Sequence, residues 1–138
     1  MKTTTRNLEA EKARFAHDML LIGGISYWGN WEPNYAADQV NPDYDTIPET
    51  YTITDRNDEF PGKEPESKVF TPVELAEKFY DCAMHLIEEN KQDNGINRYF
   101  MQWAANVATY NLDEAPMCDA LMADYAIQYA MFGRQVYA

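Results

Sequence analysis

The segment that begins at Thr71 constrains the fold of this chain most. Thr71, Pro72 and Glu74 place a hydroxyl acceptor, a first-turn proline and a carboxylate at the spacing of a capping box. Beyond it, apolar residues recur in two adjoining stripes, Val73, Ala76, Tyr80, Ala83, Ile87 and Leu75, Phe79, Cys82, Leu86. Because so wide an apolar face must be covered from two sides, the pattern predicts a central helix over residues 71–92. Its water-facing side is predicted to be Glu74, Glu77, Lys78, Asp81, His85 and Glu88.

Three further helices are predicted around this one. Before the glycine pair at 23–24, apolar residues follow helical spacing and predict a helix over residues 4–24, at Leu8, Phe15, Met19 and Ile22. A turn at Gly95 precedes a helix predicted over 95–111. Pro116 is tolerated in a first turn, so the last helix is predicted over 114–136, with an apolar side of Cys118, Leu121, Met122, Tyr125, Tyr129 and Phe132. The fold class is therefore mainly α, a small bundle of about four helices forming a single domain over residues 1–138.

Residues 27–70 interrupt the helical pattern with a roughly forty-residue insertion that is acidic, aromatic and rich in proline. Its five prolines exclude a long helix, at Pro33, Pro42, Pro48, Pro61 and Pro65. Residues 49–54 alternate with a period of two and are rich in threonine, which predicts a strand. We expect this strand to pair with residues near Val40 across the turn at 41–42, forming a short β-hairpin.

Charge sets the class of partner. The chain carries 23 acidic residues against 11 basic ones, a net charge of -12, yet 46% of its residues are hydrophobic, enough to form a folded core. Direct binding to nucleic acid or to an anionic membrane is disfavoured, because both would repel the protein, and cationic partners are favoured. The sequence has neither a run of about 20 apolar residues nor the apolar centre of a signal peptide, so a cytoplasmic location is predicted.

No residue pattern predicts catalysis or a metal. His85 shares a helix face with Asp81 and Glu88, which resembles half of a di-metal centre in a helical bundle. The second half is missing, because the other histidine, His17, has no matching glutamate three residues before it. Each cysteine is adjacent to an aspartate, which opposes a reactive thiolate. We therefore expect no catalytic residue, no metal, no cofactor and no enzyme activity. A small metal-dependent or hydrolytic enzyme is kept as the third-ranked hypothesis for the function.

Aromatic and acidic residues alternate within the insertion and mark the candidate site. Tyrosine and tryptophan are common interface anchors, and carboxylates pair with lysine and arginine. The predicted partner-binding residues are Trp28, Trp31, Glu32, Tyr35, Asp38, Asp43, Tyr44, Asp45, Glu49, Asp58 and Glu59. For Trp28 and Trp31 a second role stays open, in which they cover the end of the bundle as ordinary core.

The spacing of the acids suggests what the partner binds. On an extended segment Asp43 and Asp45 would lie about 7 Å apart on one face, close to the interval between phosphates on a nucleic-acid strand. The leading hypothesis is therefore an inhibitor that docks on a basic, nucleic-acid-binding protein surface as a nucleic-acid mimic. Small acidic inhibitors of restriction or CRISPR nucleases, carried by phages and mobile elements, share this size and charge, although no motif is shared. The alternative is a structural or assembly protein that forms oligomers through the aromatic insertion.

Overall fold

The described residues form four α-helices and one three-stranded antiparallel sheet. A computed structural model describes residues 6–23, 25–56 and 66–137. The helices are α1 (Leu8–Ile22), α2 (Pro72–Lys91), α3 (Arg98–Ala108) and α4 (Ala120–Phe132), with a 3-10 turn at Ile25–Tyr27. The strands are β1 (Gly29–Asn34), β2 (Thr50–Asp55) and β3 (Glu66–Phe70), in the order β1-β2-β3. Within the described ranges, no helix is long and apolar enough to cross a membrane.

Helix α2 is the central helix that the sequence predicts. The Thr71 hydroxyl accepts from the backbone N–H of Glu74 at 3.1 Å, and the Glu74 carboxylate accepts from the N–H of Thr71 at 3.1 Å, which completes the capping box. The helix contacts α1, α3, α4 and β3. Phe79 is 0% exposed and meets Phe15 of α1 edge to face, with the ring centroids 5.6 Å apart. The predicted water-facing residues of α2 are all exposed.

The sheet differs from the predicted hairpin in the partner of its central strand. Strand β2 lies at 50–55, one residue from the predicted position, but it pairs with β1 and β3 and not with residues near Val40. Val40 is 81% exposed in the connection between β1 and β2. Trp31 lies opposite Ile53, and Tyr51 and Ile53 are both 0% exposed against the helices. Pro33 is tolerated because β1 is an edge strand.

Both later helices are shorter than predicted, because side chains cap them inside the expected ranges. Asn97 caps α3 by accepting from the N–H of Tyr99, so residues 95–97 precede the helix. Asp119 caps α4 by accepting from the N–H of Met122 at 2.9 Å, which leaves residues 114–119 outside it. Gly133, with a φ of 74°, ends α4 in the left-handed conformation. The predicted boundaries 95–111 and 114–136 are therefore wrong at both ends. For α1, predicted over 4–24, residues 4, 5 and 24 lie outside the described ranges.

A buried polar network joins the sheet, α4 and the C-terminal segment. Asp124 is 4% exposed and accepts hydrogen bonds from Trp28 Nε1 at 2.6 Å and from the Tyr27 hydroxyl at 2.7 Å. Gln128 donates to Asp124 at 3.1 Å and also to the carbonyl of Tyr137, while its own oxygen accepts from the N–H of Tyr137. Tyr137 stacks on Trp28 and donates to Asp55 at 2.8 Å. Helix α4 is thus buried on faces that carry polar residues, and the predicted apolar side is wrong at one position, since Leu121 is 60% exposed.

Candidate functional site

The residues between β1 and β2, here called the 35–49 loop, are attached to α1 by a buried histidine. His17 of α1 is 1% exposed, and its Nε2 lies 2.6 Å from the carbonyl oxygen of Tyr44. Because a carbonyl oxygen only accepts, Nε2 is the donor in that bond, and Nδ1 lies 2.7 Å from the Tyr51 hydroxyl. Burial raises the pKa of Tyr51, which therefore stays a hydroxyl donor. One imidazole thus fixes both the loop and the central strand.

A second attachment is ionic. Arg14 donates to the carboxylate of Asp45 at 2.8 Å and to its carbonyl oxygen at 3.1 Å. The same guanidinium lies 3.5 Å from Asp18, one turn further along α1. Arg14 and His17 lie three residues apart on one face of α1, so they hold the loop at two neighbouring points.

Hydrogen bonds inside the loop fix its remaining turns. The Asp43 carboxylate accepts from the N–H of Asp45 at 2.9 Å and from the Thr46 hydroxyl at 3.2 Å. The Tyr35 hydroxyl donates to the carbonyl of Asp43 at 3.1 Å. Gln39 donates its side-chain amide to the carbonyl of Ile47 at 2.9 Å. The loop is therefore an ordered structure with internal bonds, although it contains no helix or strand.

What the loop exposes is an aromatic ring and an aliphatic side chain. Tyr44 is 76% exposed although its carbonyl is held by His17, and Val40 is 81% exposed. Asp38 and Glu49 are also exposed, and neither forms an ion pair or a side-chain hydrogen bond within the described ranges. These four residues, Val40, Tyr44, Asp38 and Glu49, are called the loop patch below.

The other predicted site residues are distributed between the core, the loop frame and the outer face of the sheet. Trp28 is 2% exposed and bonded to Asp124, so of its two open roles the structure shows the core one. Trp31 is half-buried and packs edge on against His17, with the ring centroids 6.3 Å apart. Glu32 is exposed on the outer face of β1, opposite Thr52.

Tyr35 is half-buried in the loop frame, and Asp43 and Asp45 are exposed but already bonded within it. Asp58 and Glu59 lie outside the described residues.

Metal-ligating groups and thiols were the remaining candidates for chemistry within the described residues. No group of three or more histidine, cysteine or acidic side chains in the described ranges is placed to hold a metal ion. Burial raises the pKa of the Cys82 thiol, and burial together with the neighbouring Asp119 raises the pKa of Cys118 to about 11. Both thiols are therefore protonated near neutral pH. Because the thiolate is the nucleophilic form of cysteine, neither is an activated nucleophile.

Sequence reasoning missed Val40 as a surface residue and His17 as the residue that positions the loop. Val40 lies between Gln39 and the turn at 41–42. This polar setting disfavours a core position, so it could have predicted that Val40 is exposed. No local pattern indicates the role of His17, because its partners Tyr44 and Tyr51 are distant in the sequence. Contacts of this kind follow from the tertiary fold alone.

No protein-family model, no curated protein and no solved structure matches this chain.

Proposed function

We propose that this protein is an acidic interaction module that binds a basic surface of another protein through the loop patch. One observation carries the proposal: the same ordered loop exposes Tyr44 and Val40 and two carboxylates, Asp38 and Glu49, that have no cationic partner within the described residues. Tyr44 would enter a pocket of the partner, as tyrosine anchors do in other interfaces. Asp38 and Glu49 would pair with lysine or arginine around it.

The attachment of the loop to α1 supports this function energetically. Binding costs the entropy of ordering whatever side chains and loops are mobile before the encounter. Here His17 and Arg14 fix the loop in the free protein through bonds to Tyr44 and Asp45. The cost is thus met during folding, and more of the interaction energy remains as affinity.

The partner we propose is a protein that binds nucleic acid. Such proteins present lysine and arginine in grooves that attract phosphates, and a surface with a net charge of -12 is attracted by the same potential. The most specific form of this proposal is that the protein is an inhibitor, because its acidic patch and a nucleic acid would compete for one groove of the partner.

Affinity capture with matched variants tests the proposal. Asp38→Asn with Glu49→Gln removes the two carboxylates of the loop patch, and Tyr44→Ala removes the ring while keeping the carbonyl that binds His17. A control variant, Glu77→Gln with Glu88→Gln, removes the same charge from the exposed face of α2. Each immobilised protein is exposed to a cell extract, washed between about 50 and 200 mM salt and then treated with duplex DNA, and the released proteins are quantified.

The expected result is a set of basic proteins that the parent and the α2 control retain and that both loop variants lose. Duplex DNA should release the same set, because it competes for the same groove. Equal capture by all four proteins would refute the role of the loop patch. Capture of the chain by itself, unchanged by salt, would instead assign the patch to self-association and overturn the proposal.

A further inference from the structure

A groove on α3 lies apart from the residues of the loop patch. It has a volume of about 330 Å³, within the usual range of roughly 300 to 1,000 Å³ for ligand sites. One wall is a single face of α3, formed by residues three and four positions apart, Tyr99, Gln102, Trp103 and Asn106. The other wall is the connection between α3 and α4, together with the first turn of α4.

The charge of the groove is acidic. Glu114 and Asp119 line it, and no lysine, arginine or histidine does among the residues described. Asp119 is occupied as the cap of α4, whereas the Glu114 side chain is exposed and has no bonding partner in the described part of the chain. A cationic group is therefore the ligand that the local charge favours.

A second, independent observation concerns Trp103. This residue lines the groove and is 2% exposed, and its indole Nε1 is the one buried side-chain donor in the described ranges that lacks an acceptor. Most buried polar groups in native proteins are bonded, and those that are not call for an explanation. An oxygen acceptor on a bound ligand would satisfy this N–H.

The rim of the groove carries exposed apolar side chains. Tyr99 is 66% exposed and Met117 is 81% exposed. The Tyr99 ring already carries the guanidinium of Arg98, 5.6 Å from the ring centroid. Met117 is free to adapt to the shape of an alkyl chain. The groove thus combines a carboxylate, an aromatic ring, a flexible apolar wall and an unsatisfied donor.

We propose that this groove receives one arginine or lysine side chain from an extended segment of the basic partner. The cation would pair with Glu114, its alkyl chain would lie against Met117, and a backbone carbonyl of the same segment would accept from Trp103 Nε1. A basic peptide segment offers both the cation and the carbonyl, which is why it is preferred over a simple amine. This inference rests on the proposed function and adds a second contact to the loop patch.

The test uses the full chain, labelled with ¹⁵N, and the probe peptide acetyl-Gly-Arg-Gly-amide. Acetyl-Gly-Gln-Gly-amide is the matched peptide without charge. The three tryptophan indole signals are followed by NMR, and Trp103→Phe identifies the one that belongs to Trp103. With the arginine peptide, this signal should move downfield and saturate, since its N–H gains a hydrogen bond. Glu114→Gln should weaken binding about two- to fivefold, the range for an exposed ion pair, and Glu77→Gln on α2 should leave it unchanged.

The inference is overturned if the Trp103 signal shows no saturable shift up to about 10 mM peptide. It is equally overturned if the glutamine peptide binds as well, or if Glu77→Gln weakens binding as much as Glu114→Gln. The loop-patch variants separate this result from the proposed function. If Tyr44→Ala abolishes protein capture while the peptide fails to bind, the groove inference is wrong and the proposed function stands. If the peptide binds while capture is independent of the loop, the proposed function is wrong.

Discussion

Replacing Asp124 with alanine should destabilise the protein by removing the acceptor at the centre of its buried polar network. The carboxylate accepts from Trp28 Nε1 at 2.6 Å, from the Tyr27 hydroxyl at 2.7 Å and from Gln128 Nε2 at 3.1 Å. The three donors differ in whether another acceptor can replace the lost carboxylate. Tyr27 is 48% exposed and its hydroxyl can bond to water, and Gln128 keeps the carbonyl of Tyr137 as an acceptor.

The cost is therefore concentrated on Trp28. This residue is 2% exposed, and without Asp124 its N–H has no remaining acceptor within the described part of the chain. A buried donor left unsatisfied costs about 1–3 kcal/mol, and the missing side-chain atoms add a small cavity. Together we expect a loss of about 2–4 kcal/mol, a substantial part of the roughly 5–15 kcal/mol that stabilises an ordinary domain.

Urea denaturation followed by circular dichroism measures the loss, with an unchanged dependence on urea showing that the transition is the same. Asp81→Ala, an exposed aspartate on α2, is the matched control and should stay within about 0.5 kcal/mol of the parent. In a double-mutant cycle with Trp28→Phe, the two changes should couple by about 1 kcal/mol or more, since each removes one end of the same bond. A loss below about 1 kcal/mol for Asp124→Ala, or strictly additive changes, would show that the network does not stabilise the fold.

Three other perturbations test the core, the loop and the thiols. Phe79→Ala should remove about 3–5 kcal/mol, because the ring is 0% exposed and packs on Phe15, and a melting temperature within a degree or two of the parent would contradict its central position. His17→Phe keeps the ring but loses the bond to Tyr44, so amides of the 35–49 loop should exchange faster with deuterium while those of α2 do not, and unchanged loop exchange would count against the attachment. Burial raises the pKa of Cys118 to about 11, so at pH 8 it should react with a disulfide reagent about a hundredfold more slowly than a free thiol of pKa about 8.5. Its reaction rate should rise about tenfold with each pH unit up to 10. A fast reaction at pH 8 would refute the burial of this thiol.

The features that the sequence predicted well are those that local chemistry determines. The capping box at Thr71 and Glu74 needs only neighbouring residues, and the two apolar stripes of α2 follow from its own periodicity. The presence of a strand near 50–55 is local for the same reason. Its partner is not local, since β1 lies sixteen or more residues away along the chain, and Trp31 meets Ile53 only in the folded sheet.

Helix α4 shows why the rest could not be predicted. Its sequence offers aromatic residues on one side, and burial of large apolar side chains is a sound expectation for such a helix. In the structure Asp124 and Gln128 are buried, because Trp28 and Tyr137 supply donors and acceptors from other parts of the chain. Without those partners a buried carboxylate would be too costly, so the face of the helix is decided by contacts that no periodicity contains.

The same distinction limits what composition says about binding. The net charge of -12 counts every carboxylate equally, yet in the structure the carboxylates differ in burial and in hydrogen bonding. Asp124 is buried as an acceptor, and Asp43 and Asp45 hold the 35–49 loop together. Only carboxylates without such bonds, such as Asp38 and Glu49, are available to a partner at no cost to the loop.

A nucleic-acid mimic built on this chain would therefore present fewer charges than its composition suggests, and the exposed ring of Tyr44 would have to supply much of the affinity. The acids that look most like spaced phosphates in the sequence serve instead to fix the position from which that ring is presented.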